Sequence, residues 1–386
     1  MSREAPIYLD NHATTPADPQ VIEVVRHHLE VDFGNAASTD HVFGWTAERA
    51  TKTARAQTAA LIHARPEEII FTSGATESNN LAIKGALEAF RPGKKHFITS
   101  AAEHKCVLES AKWLQERGIE VTILPVFFDG RINPDDVAKA ITPDTALVSI
   151  MYANNEIGSI NPIAEIGKIC RERGVLLHVD AAQAVGHLDI DVERDHIDLM
   201  SASAHKFHGP KGVGFLYVRK NPSVKIAPRF SGGGQEMGLR SGTLNVPCIA
   251  GMGKAAELAC EHQAENSLHV LGLRDRLYRL ITEGIDGVRL NGPPLGPHRL
   301  PHNLNLSFEG KLSATDIIKA LRTVALSSGS ACTSASATPS HVLQAIGLSP
   351  HLVQASLRFG VSRMNTEAEI DTVAEKLARV IGRFRS

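Results

Sequence analysis

The sequence predicts an α/β fold: a mostly parallel sheet of seven strands with helices on both faces, followed by a smaller α+β domain. Through the first two-thirds of the 386-residue chain, short apolar runs alternate with amphipathic stretches, as is typical of parallel sheets. After about Gly253 one long helical segment replaces this alternation. With 43% hydrophobic residues, the chain can bury two sizeable cores.

The strands are predicted from the apolar runs, and the helices from the stretches between them. One predicted helix, Ile163–Arg173, ends before Gly174, a residue that commonly terminates helices. The predicted strands are Glu68–Phe71, His96–Thr99, Glu120–Pro125, Ala146–Met151, Val175–Val179, Leu199–Ser201 and Gly214–Val218.

The smaller domain is predicted from three elements: a long helix over Lys254–Gly284, a strand over Asn303–Phe308 and a closing helix over Thr366–Phe384. We therefore expect a large domain over residues 16–257, and a small domain formed by residues 1–15 and 258–386. The small domain would carry a mobile loop over about residues 325–340.

Charge and composition exclude several classes of protein. Lys and Arg number 41 and Asp and Glu 42, a balance that gives no electrostatic signature for direct binding of nucleic acid or a membrane surface. The N-terminal segment has no apolar signal core, and no run reaches the ~18 apolar residues that span a bilayer. These features predict a cytoplasmic enzyme. Five widely spaced cysteines without a CxxC pair argue against a disulfide framework or a zinc knuckle.

One cysteine, Cys332, lies in the segment SSGSACTSASATPS, among small polar residues with no charged neighbour. A structural cysteine normally lies among apolar residues, whereas this composition is typical of an exposed, mobile loop. The segment predicts a reactive thiol. The other four cysteines lack such surroundings and are interpreted as structural: Cys106, Cys170, Cys248 and Cys260.

A phosphate site is indicated by FTSGATESNN, residues Phe71–Asn80. A strand runs into a glycine-containing turn, and a helix then begins with Glu77 in its first turn. Free backbone N–H groups at such a helix start bind phosphate, and Thr76 adds a hydroxyl donor. An ordinary capped helix explains the same residues equally well.

Two further segments place charged side chains after strands. In LLHVDAAQAVG, Asp180 ends a strand, and ligands bind beyond the carboxyl ends of the strands in such a sheet. Its carboxylate would suit a protonated pyridine nitrogen. The alternative is that Asp180 caps the next helix. In SASAHKFHGPKG, Lys206 is suited to a Schiff base with an aldehyde cofactor. A metal site at His205 and His208 is disfavoured, because no carboxylate or cysteine lies nearby.

Together these segments follow the order found in fold-type I pyridoxal phosphate enzymes, and the chain resembles the cysteine desulfurases of the NifS/IscS type, in the class V aminotransferase superfamily. The SSGSAC motif is the most specific match, since other class V enzymes lack it. Further matching motifs are YLDNHATTP (Tyr8–Pro16), FGNAAS (Phe33–Ser38), EHK (Glu103–Lys105), NNEIG (Asn154–Gly158) and RSGT (Arg240–Thr243).

The resemblance implies pyridoxal 5'-phosphate as the cofactor, bound covalently by Lys206. Asp180 would pair with the pyridine nitrogen and Gln183 with the ring oxygen, while His104 would stack on the ring and assist proton transfers. From its residues alone, His104 would be interpreted as a core histidine. The implied phosphate ligands are Ala75, Thr76, Ser203 and His205, with Thr243 from the partner subunit of a homodimer.

The resemblance also implies the substrate and the product. Asn35, Asn155 and Arg358 would hold the carboxylate of L-cysteine, with Asn155 also near the cofactor. Cys332, as thiolate, would take the sulfur and form a persulfide, releasing L-alanine. The acceptor would be an iron–sulfur scaffold or another thio-modification enzyme. In the family the loop cysteine can also bind a transient [2Fe–2S] cluster with the scaffold, and Cys332 is the candidate here.

Two alternatives remain open from the sequence. One is a selenocysteine lyase or another class V enzyme such as an aminotransferase, which the SSGSAC segment argues against. The other is a sulfur-delivery protein without turnover, which the presence of Lys206, His104 and Asp180 argues against.

Overall fold

The computed structural model describes residues 5–89, 93–221, 224–328 and 339–385. Its strands are β1 (Ile7–Tyr8), β2 (Ile69–Thr72), β3 (His96–Ser100), β4 (Glu120–Leu124), β5 (Thr145–Ser149), β6 (Leu176–Asp180), β7 (Leu199–Ser203), β8 (Gly214–Val218), β9 (Val288–Leu290), β10 (Asn303–Phe308), β11 (Val324–Ala325), β12 (Ser327–Ser328) and β13 (Ser356–Gly360).

The helices alternate with the strands through the first half of the chain. They are α1 (Pro19–Glu30), α2 (Val42–Ala60), α3 (Ala75–Ala89), α4 (Lys105–Gln115), α5 (Pro134–Ala140), α6 (Ile163–Arg173), α7 (Val246–Gly284), α8 (Ala314–Ala320), α9 (His341–Ala345), α10 (Pro350–Gln354) and α11 (Glu367–Arg385). None of the helices in the described ranges is long and apolar enough to cross a membrane.

The central sheet has seven strands in the order β2-β8-β7-β6-β5-β3-β4. Strands β3 to β7 pair in parallel, and only β8 runs antiparallel to its two neighbours, β2 and β7. The predicted mostly parallel seven-stranded sheet is therefore confirmed. Because β6 and β7 are parallel neighbours, with Asp180 opposite Ser201, they end at the same edge of the sheet.

Both faces of this sheet are covered. Alternate residues of one strand belong to two separate apolar clusters, since successive side chains of a strand point to opposite faces. On β6, for example, Leu177 and Val179 belong to the larger cluster, whereas Leu176 belongs to the smaller. This double burial explains why the strands read as continuous apolar runs.

A second sheet has the order β12-β13-β10-β9 and is antiparallel throughout. It shares an apolar cluster with β1, the second half of α7, α8 and α11, and that cluster holds Leu306, Ile281, Leu357 and Leu377. A smaller α+β region is therefore present, as predicted. The division at residues 15 and 257 stays a prediction.

Helix α7 begins at Val246, eight residues before the predicted start at Lys254. Asn245 caps it, with the side-chain oxygen accepting the Cys248 N–H, and Pro247 lies in its first turn. Gly251 and Gly253 obscured this start because glycine disfavours helix. The structure explains them: a Cβ on Gly253 would come within 2.5 Å of the Ala54 Cα.

We expect Leu306→Ala to lower the free energy of unfolding by about 2–5 kcal/mol, because it leaves a cavity at a fully buried position in the second sheet. Urea denaturation measures this change. The matched control is Ile123→Ala on the outer strand β4, where the residue is 49% exposed and the loss should be much smaller. Equal losses would contradict the assignment of Leu306 to a core.

Candidate active site

A cavity of about 460 Å³ lies where β6 and β7 end and α3 begins. Its walls also include the segment after β1, at His12, and the start of α4, at His104. Nine of the residues predicted from the sequence line it together: Ala75, Thr76, His104, Asn155, Asp180, Gln183, Ser203, His205 and Lys206.

The turn into α3 forms one end of the cavity. Glu77 accepts the backbone N–H of Ser73 at 2.8 Å, and Arg240 in turn donates to the Glu77 carboxylate at 2.8 Å. The first N–H groups of a helix have no partner within it, so this end attracts anions. The capping contact is therefore present, and the phosphate site at this turn, called the anion cradle below, stays a prediction.

The cradle depends on close backbone packing. A Cβ on Gly214 of β8 would lie 2.4 Å from the Ala202 carbonyl oxygen and 2.7 Å from the Gly74 Cα. Gly74 itself has a φ of +146°, which L side chains rarely adopt. Glycine at both positions lets the turn lie directly against β7 and β8.

Asp180 presents a buried carboxylate to the cavity. It is 5% exposed; its Oδ2 accepts from the Asn79 side chain at 2.7 Å, and its Oδ1 accepts the Ala182 N–H at 3.0 Å. Among the described residues, the hydrogen-bond donors to this buried carboxylate are neutral, and such a carboxylate favours a cationic ligand group. Asn79 received no role from the sequence, because a helix residue carries no local signal for a contact with a distant strand.

Lys206 follows β7 and points its amine at the segment after β1. Its Nζ donates to the carbonyl oxygens of His12 and Ala13, at 2.6 and 2.9 Å. The neighbouring His205 contacts the Thr14 hydroxyl through Nδ1 at 3.0 Å. Burial lowers the pKa of His205 to about 4, so its ring is neutral at pH 7.

His104 caps helix α4, and its Nδ1 lies 3.3 Å from the Cys106 backbone nitrogen and 3.0 Å from the Cys106 Sγ. The interpretation of Cys106 as a structural cysteine stays a prediction. Cys106 packs against the apolar core, but it also lines the cavity and contacts the Asn79 amide at 3.1 Å. Cys170, by contrast, is buried in the core, which raises the pKa of its thiol to about 12.

His12 is a cavity residue to which the sequence assigned no role. Its Nδ1 lies 2.9 Å from the Gln183 Oε1, and the Gln183 Nε2 donates to the His12 carbonyl oxygen at 3.0 Å. The ring stacks on His302 with 4.5 Å between centroids. His12 occurs in the motif YLDNHATTP, but nothing local in that motif indicates a partner 171 residues away.

Three predicted residues do not line this cavity. Asn35 and Thr243 are exposed, and Asn35 accepts the Ala37 N–H at 2.9 Å within its own turn. Arg358, on β13, is buried and donates to Asp10 Oδ1 at 2.9 Å and to the Asn155 carbonyl oxygen at 3.0 Å. Cys332, with its predicted sulfur and cluster roles, lies outside the described residues.

The described chain on either side of Cys332 nevertheless ends beside the cavity. Before it, Ser327 accepts a hydrogen bond from Arg358 at 2.8 Å. After it, the Ser340 hydroxyl donates to the Glu156 carboxylate at 2.5 Å. Both contacts adjoin Asn155, which lines the cavity.

No cluster of three or more His, Cys, Asp or Glu side chains within the described ranges is arranged to hold a metal ion. The groups that do meet in the cavity are the amine of Lys206, the buried carboxylate of Asp180 and the turn that begins α3. This set is suited to a phosphorylated aldehyde with a basic ring.

Comparison with known proteins agrees with this set of groups. The model of the family "Aminotransferase class-V" matches residues 7–373. The cysteine desulfurase IscS of Anaeromyxobacter dehalogenans is 49% identical over 380 residues, covering 98% of this chain and 93% of that protein. The chain belongs to the class-V aminotransferase family, among its cysteine desulfurases. Enzymes of this group use pyridoxal phosphate.

Solved structures agree with the fold of this desulfurase. A NifS-like protein superposes with a TM-score of 0.91 at 36% identity, covering 98% of this chain and all of that one. A structure described as SspA in complex with cysteine has a TM-score of 0.80 at 38% identity, covering 93% of this chain and all of that one. The fold-type I architecture predicted from the sequence is confirmed.

Behind the cavity of this desulfurase lies a second buried acid, Glu103. Its Oε1 accepts from the Ser100 hydroxyl at 2.8 Å and from the Met151 N–H at 2.9 Å, whereas its Oε2 has no partner among the described residues. Burial raises the pKa of Glu103 to about 8. The protonated acid therefore predominates at pH 7.

We expect Glu103→Gln to reduce the pH dependence of stability. The folded protein holds a proton on Glu103 that the unfolded chain releases near pH 4.5, so this stability is complete below pH 4.5 and is lost as the pH rises through about 8. Glutamine mimics the protonated acid and removes this loss. The measurement is urea unfolding at about pH 5 and about pH 8. Between these two pH values, the free energy of unfolding of the variant should fall by at least about 1 kcal/mol less than that of the wild-type protein.

The matched control is Glu109→Gln, an exposed residue of helix α4. It should leave the pH dependence unchanged. If Glu103→Gln loses as much stability as the unmodified protein between the two pH values, Glu103 is ionised in the fold and the assignment fails.

Proposed function

We propose that this cysteine desulfurase transfers sulfur from L-cysteine to Cys332 with pyridoxal phosphate in the described cavity, leaving L-alanine. The observation that carries the proposal is the meeting of Lys206, Asp180 and the α3 start in one cavity. Two neighbouring strands and one helix supply these three groups.

The residues present fit pyridoxal phosphate. The Gly74 turn would take its phosphate, close to Ala75, Thr76, Ser203 and the neutral His205. Asp180, whose partners here are neutral donors, would pair with the ring nitrogen. Lys206 would bind the aldehyde carbon, His104 would lie against the ring, and Gln183 would meet the ring oxygen. When bound, the cofactor would withdraw electrons from the α-carbon of the amino acid, which acidifies its α-proton.

Lys206 is the proposed proton carrier at the substrate carbon. Its amine is held by two carbonyl oxygens, at 2.6 and 2.9 Å, and these would orient its lone pair when it is neutral. From this position the amine can accept the α-proton and later return a proton to the substrate. His104 is the second candidate, because its ring also lines the cavity.

Cys332 is the proposed nucleophile. Its thiolate attacks the sulfur of the substrate; the new S–S bond forms as the carbon–sulfur bond breaks, and the electron pair of that bond stays on carbon. Protonation of this carbon gives alanine, and the enzyme keeps a persulfide, so the atoms and electrons balance. Three residues lie between Ser328 and Cys332, so the chain reaches at most about 14 Å from one to the other, which suits attack in the adjoining cavity.

Arg358, Asn155 and Asn35 are proposed to hold the substrate carboxylate. Arg358 is the strongest candidate of the three, because its guanidinium contacts the carbonyl of Asn155 and its buried Nε–H has no partner among the described residues. A substrate carboxylate would compete with Asp10 for the same guanidinium.

We also propose a homodimer, in which Thr243 of the partner subunit completes the phosphate site. Thr243 is exposed and lies apart from the cavity of its own chain, as a residue acting across an interface would. The acceptor of the persulfide is proposed to be an iron–sulfur scaffold or a thio-modification enzyme, with Cys332 as a transient [2Fe–2S] ligand in the first case. A cytoplasmic location stays a prediction.

We expect Cys332→Ser to abolish release of sulfur from L-cysteine, by roughly a hundredfold or more, because a hydroxyl cannot replace the thiolate as acceptor. The measurement is production of alanine and sulfide under reductant. Cys260→Ser, an exposed cysteine of helix α7, is the matched control and should keep full activity. Full activity of Cys332→Ser would exclude the persulfide mechanism.

We expect Gly214→Ala to weaken binding of pyridoxal phosphate by about tenfold or more, because the new methyl group would displace the Gly74 turn. Titration of the cofactor-free protein with pyridoxal phosphate, followed by absorbance, measures the dissociation constant. Gly382→Ala, where a Cβ meets nothing within 4 Å, is the control. Unchanged affinity in Gly214→Ala would place the phosphate elsewhere.

A further inference from the structure

We infer that a hydrogen-bond relay, Arg299–Asn303–His12–Gln183, fixes the direction in which Gln183 meets the cofactor. The relay makes Gln183 a hydrogen-bond donor into the cavity, so the ligand group beside it must be an acceptor. For the proposed cofactor that group is the anionic ring oxygen, and in this respect the inference rests on the proposed function. His12 is thereby a positioning residue.

The direction starts at Arg299, whose guanidinium has donors and no acceptor. Arg299 is 2% exposed, and it donates to the carbonyl oxygens of Pro293, Ile157 and Asn291 and to the Asn303 Oδ1, the last at 2.8 Å. Burial lowers the pKa of Arg299 to about 9, which leaves it charged at pH 7.

Asn303 is oriented by two independent contacts. Its Oδ1 must face Arg299, because only an oxygen can accept there. Its Nδ2 must face the Glu156 carbonyl oxygen, 3.0 Å away, because only an N–H can donate there. The same Nδ2 lies 3.1 Å from the Nε2 of His12. This ring nitrogen of His12 therefore accepts, and the ring proton belongs on Nδ1.

Gln183 is then oriented by His12, again through two contacts. The Nδ1–H of His12 donates to the Gln183 Oε1 at 2.9 Å, and the Gln183 Nε2 donates to the His12 carbonyl oxygen at 3.0 Å. An amide nitrogen carries two protons, and His12 takes only one of them. Within the described ranges no other protein acceptor engages this nitrogen, and Gln183 lines the cavity. The second proton is available to a ligand.

The surroundings of His12 keep its ring neutral, which the relay requires. Protonation would put an N–H on Nε2 against the N–H of Asn303. Burial, and then the charge of Arg358, lower the pKa of His12; Lys206 and His187 act in the same direction, whereas the Gln183 contact opposes them. His302 stacks on the ring and is itself buried. In the described part of the chain, no carboxylate hydrogen-bonds to His12.

The relay predicts a single tautomer of His12, which nitrogen NMR of the histidine-labelled full-length protein can read without cofactor. Among the ring signals of the solid-state spectra, the one that is lost in His12→Asn should belong to a neutral ring with its proton on Nδ1, and it should stay constant from about pH 6 to about pH 9. A proton on Nε2, or a charged ring, would overturn the inference. This result is independent of whether the protein binds pyridoxal phosphate.

In the holoenzyme the relay predicts a spectroscopic shift. A donor to the ring oxygen would disperse the negative charge that stabilises the protonated lysine–cofactor linkage, so weakening this donor should raise the pKa at which the visible absorption changes, by up to about one unit. His12→Leu should show this rise, because it removes the side-chain contact to Gln183 Oε1 and leaves only the main-chain carbonyl of residue 12 to hold the amide. His12→Asn, which can keep an N–H at the Nδ1 position, should restore the unmodified value.

The outcomes separate the two claims. An unchanged absorption pKa in a folded, cofactor-loaded His12→Leu protein would overturn the role of the relay and leave the proposed function intact. Absence of any visible band that depends on Lys206 would overturn the proposed function instead. If His12→Leu does not fold, the tautomer in the unmodified protein decides the inference by itself.

Discussion

The site depends on one geometric constraint: parallel strands end at the same edge of a sheet. Strands β6 and β7 are hydrogen-bonded neighbours, so the carboxylate that ends β6 and the lysine that follows β7 open onto one cavity. The antiparallel β8 returns beside β7 and brings Gly214 against the turn that begins α3. Acid, amine and anion cradle are thus placed by strand pairing alone.

What could be predicted from the sequence follows from this constraint. Asp180, Lys206 and the turn before α3 each lie next to a strand, so their patterns are local and their meeting follows from the topology. His12 and Asn303 are 291 residues apart, and their contact has no local pattern. Cys106 lines the cavity as well as packing on the core, and the local sequence of α4 does not show which face of the helix meets the cavity. The start of α7 was predicted too late because it contains glycines, which disfavour helix. In the structure, Gly253 is needed because α7 packs closely against Ala54 of α2.

The second layer of the site comes from the C-terminal third of the chain. Four side chains there donate to the backbone carbonyls of residues 155–157, in the turn NNEIG. Burying two guanidinium groups is costly unless their donors are matched, and these carbonyls supply much of the match. The four donors are Arg299, Asn303, Asn305 and Arg358. The cavity wall at Asn155 is therefore held from behind by a different sheet.

Helix α7 has 39 residues and a length of about 58 Å. Its first part packs in the core of the large sheet, with Met252 and Ala256, and its second part in the core of the small sheet, with Leu273 and Ile281. Each half of α7 is buried in one of the two cores, so unfolding of one core exposes the helix that the other core also needs. The two cores therefore unfold as one cooperative unit. By thermodynamic linkage, a molecule bound in the cavity protects the antiparallel sheet from unfolding as well.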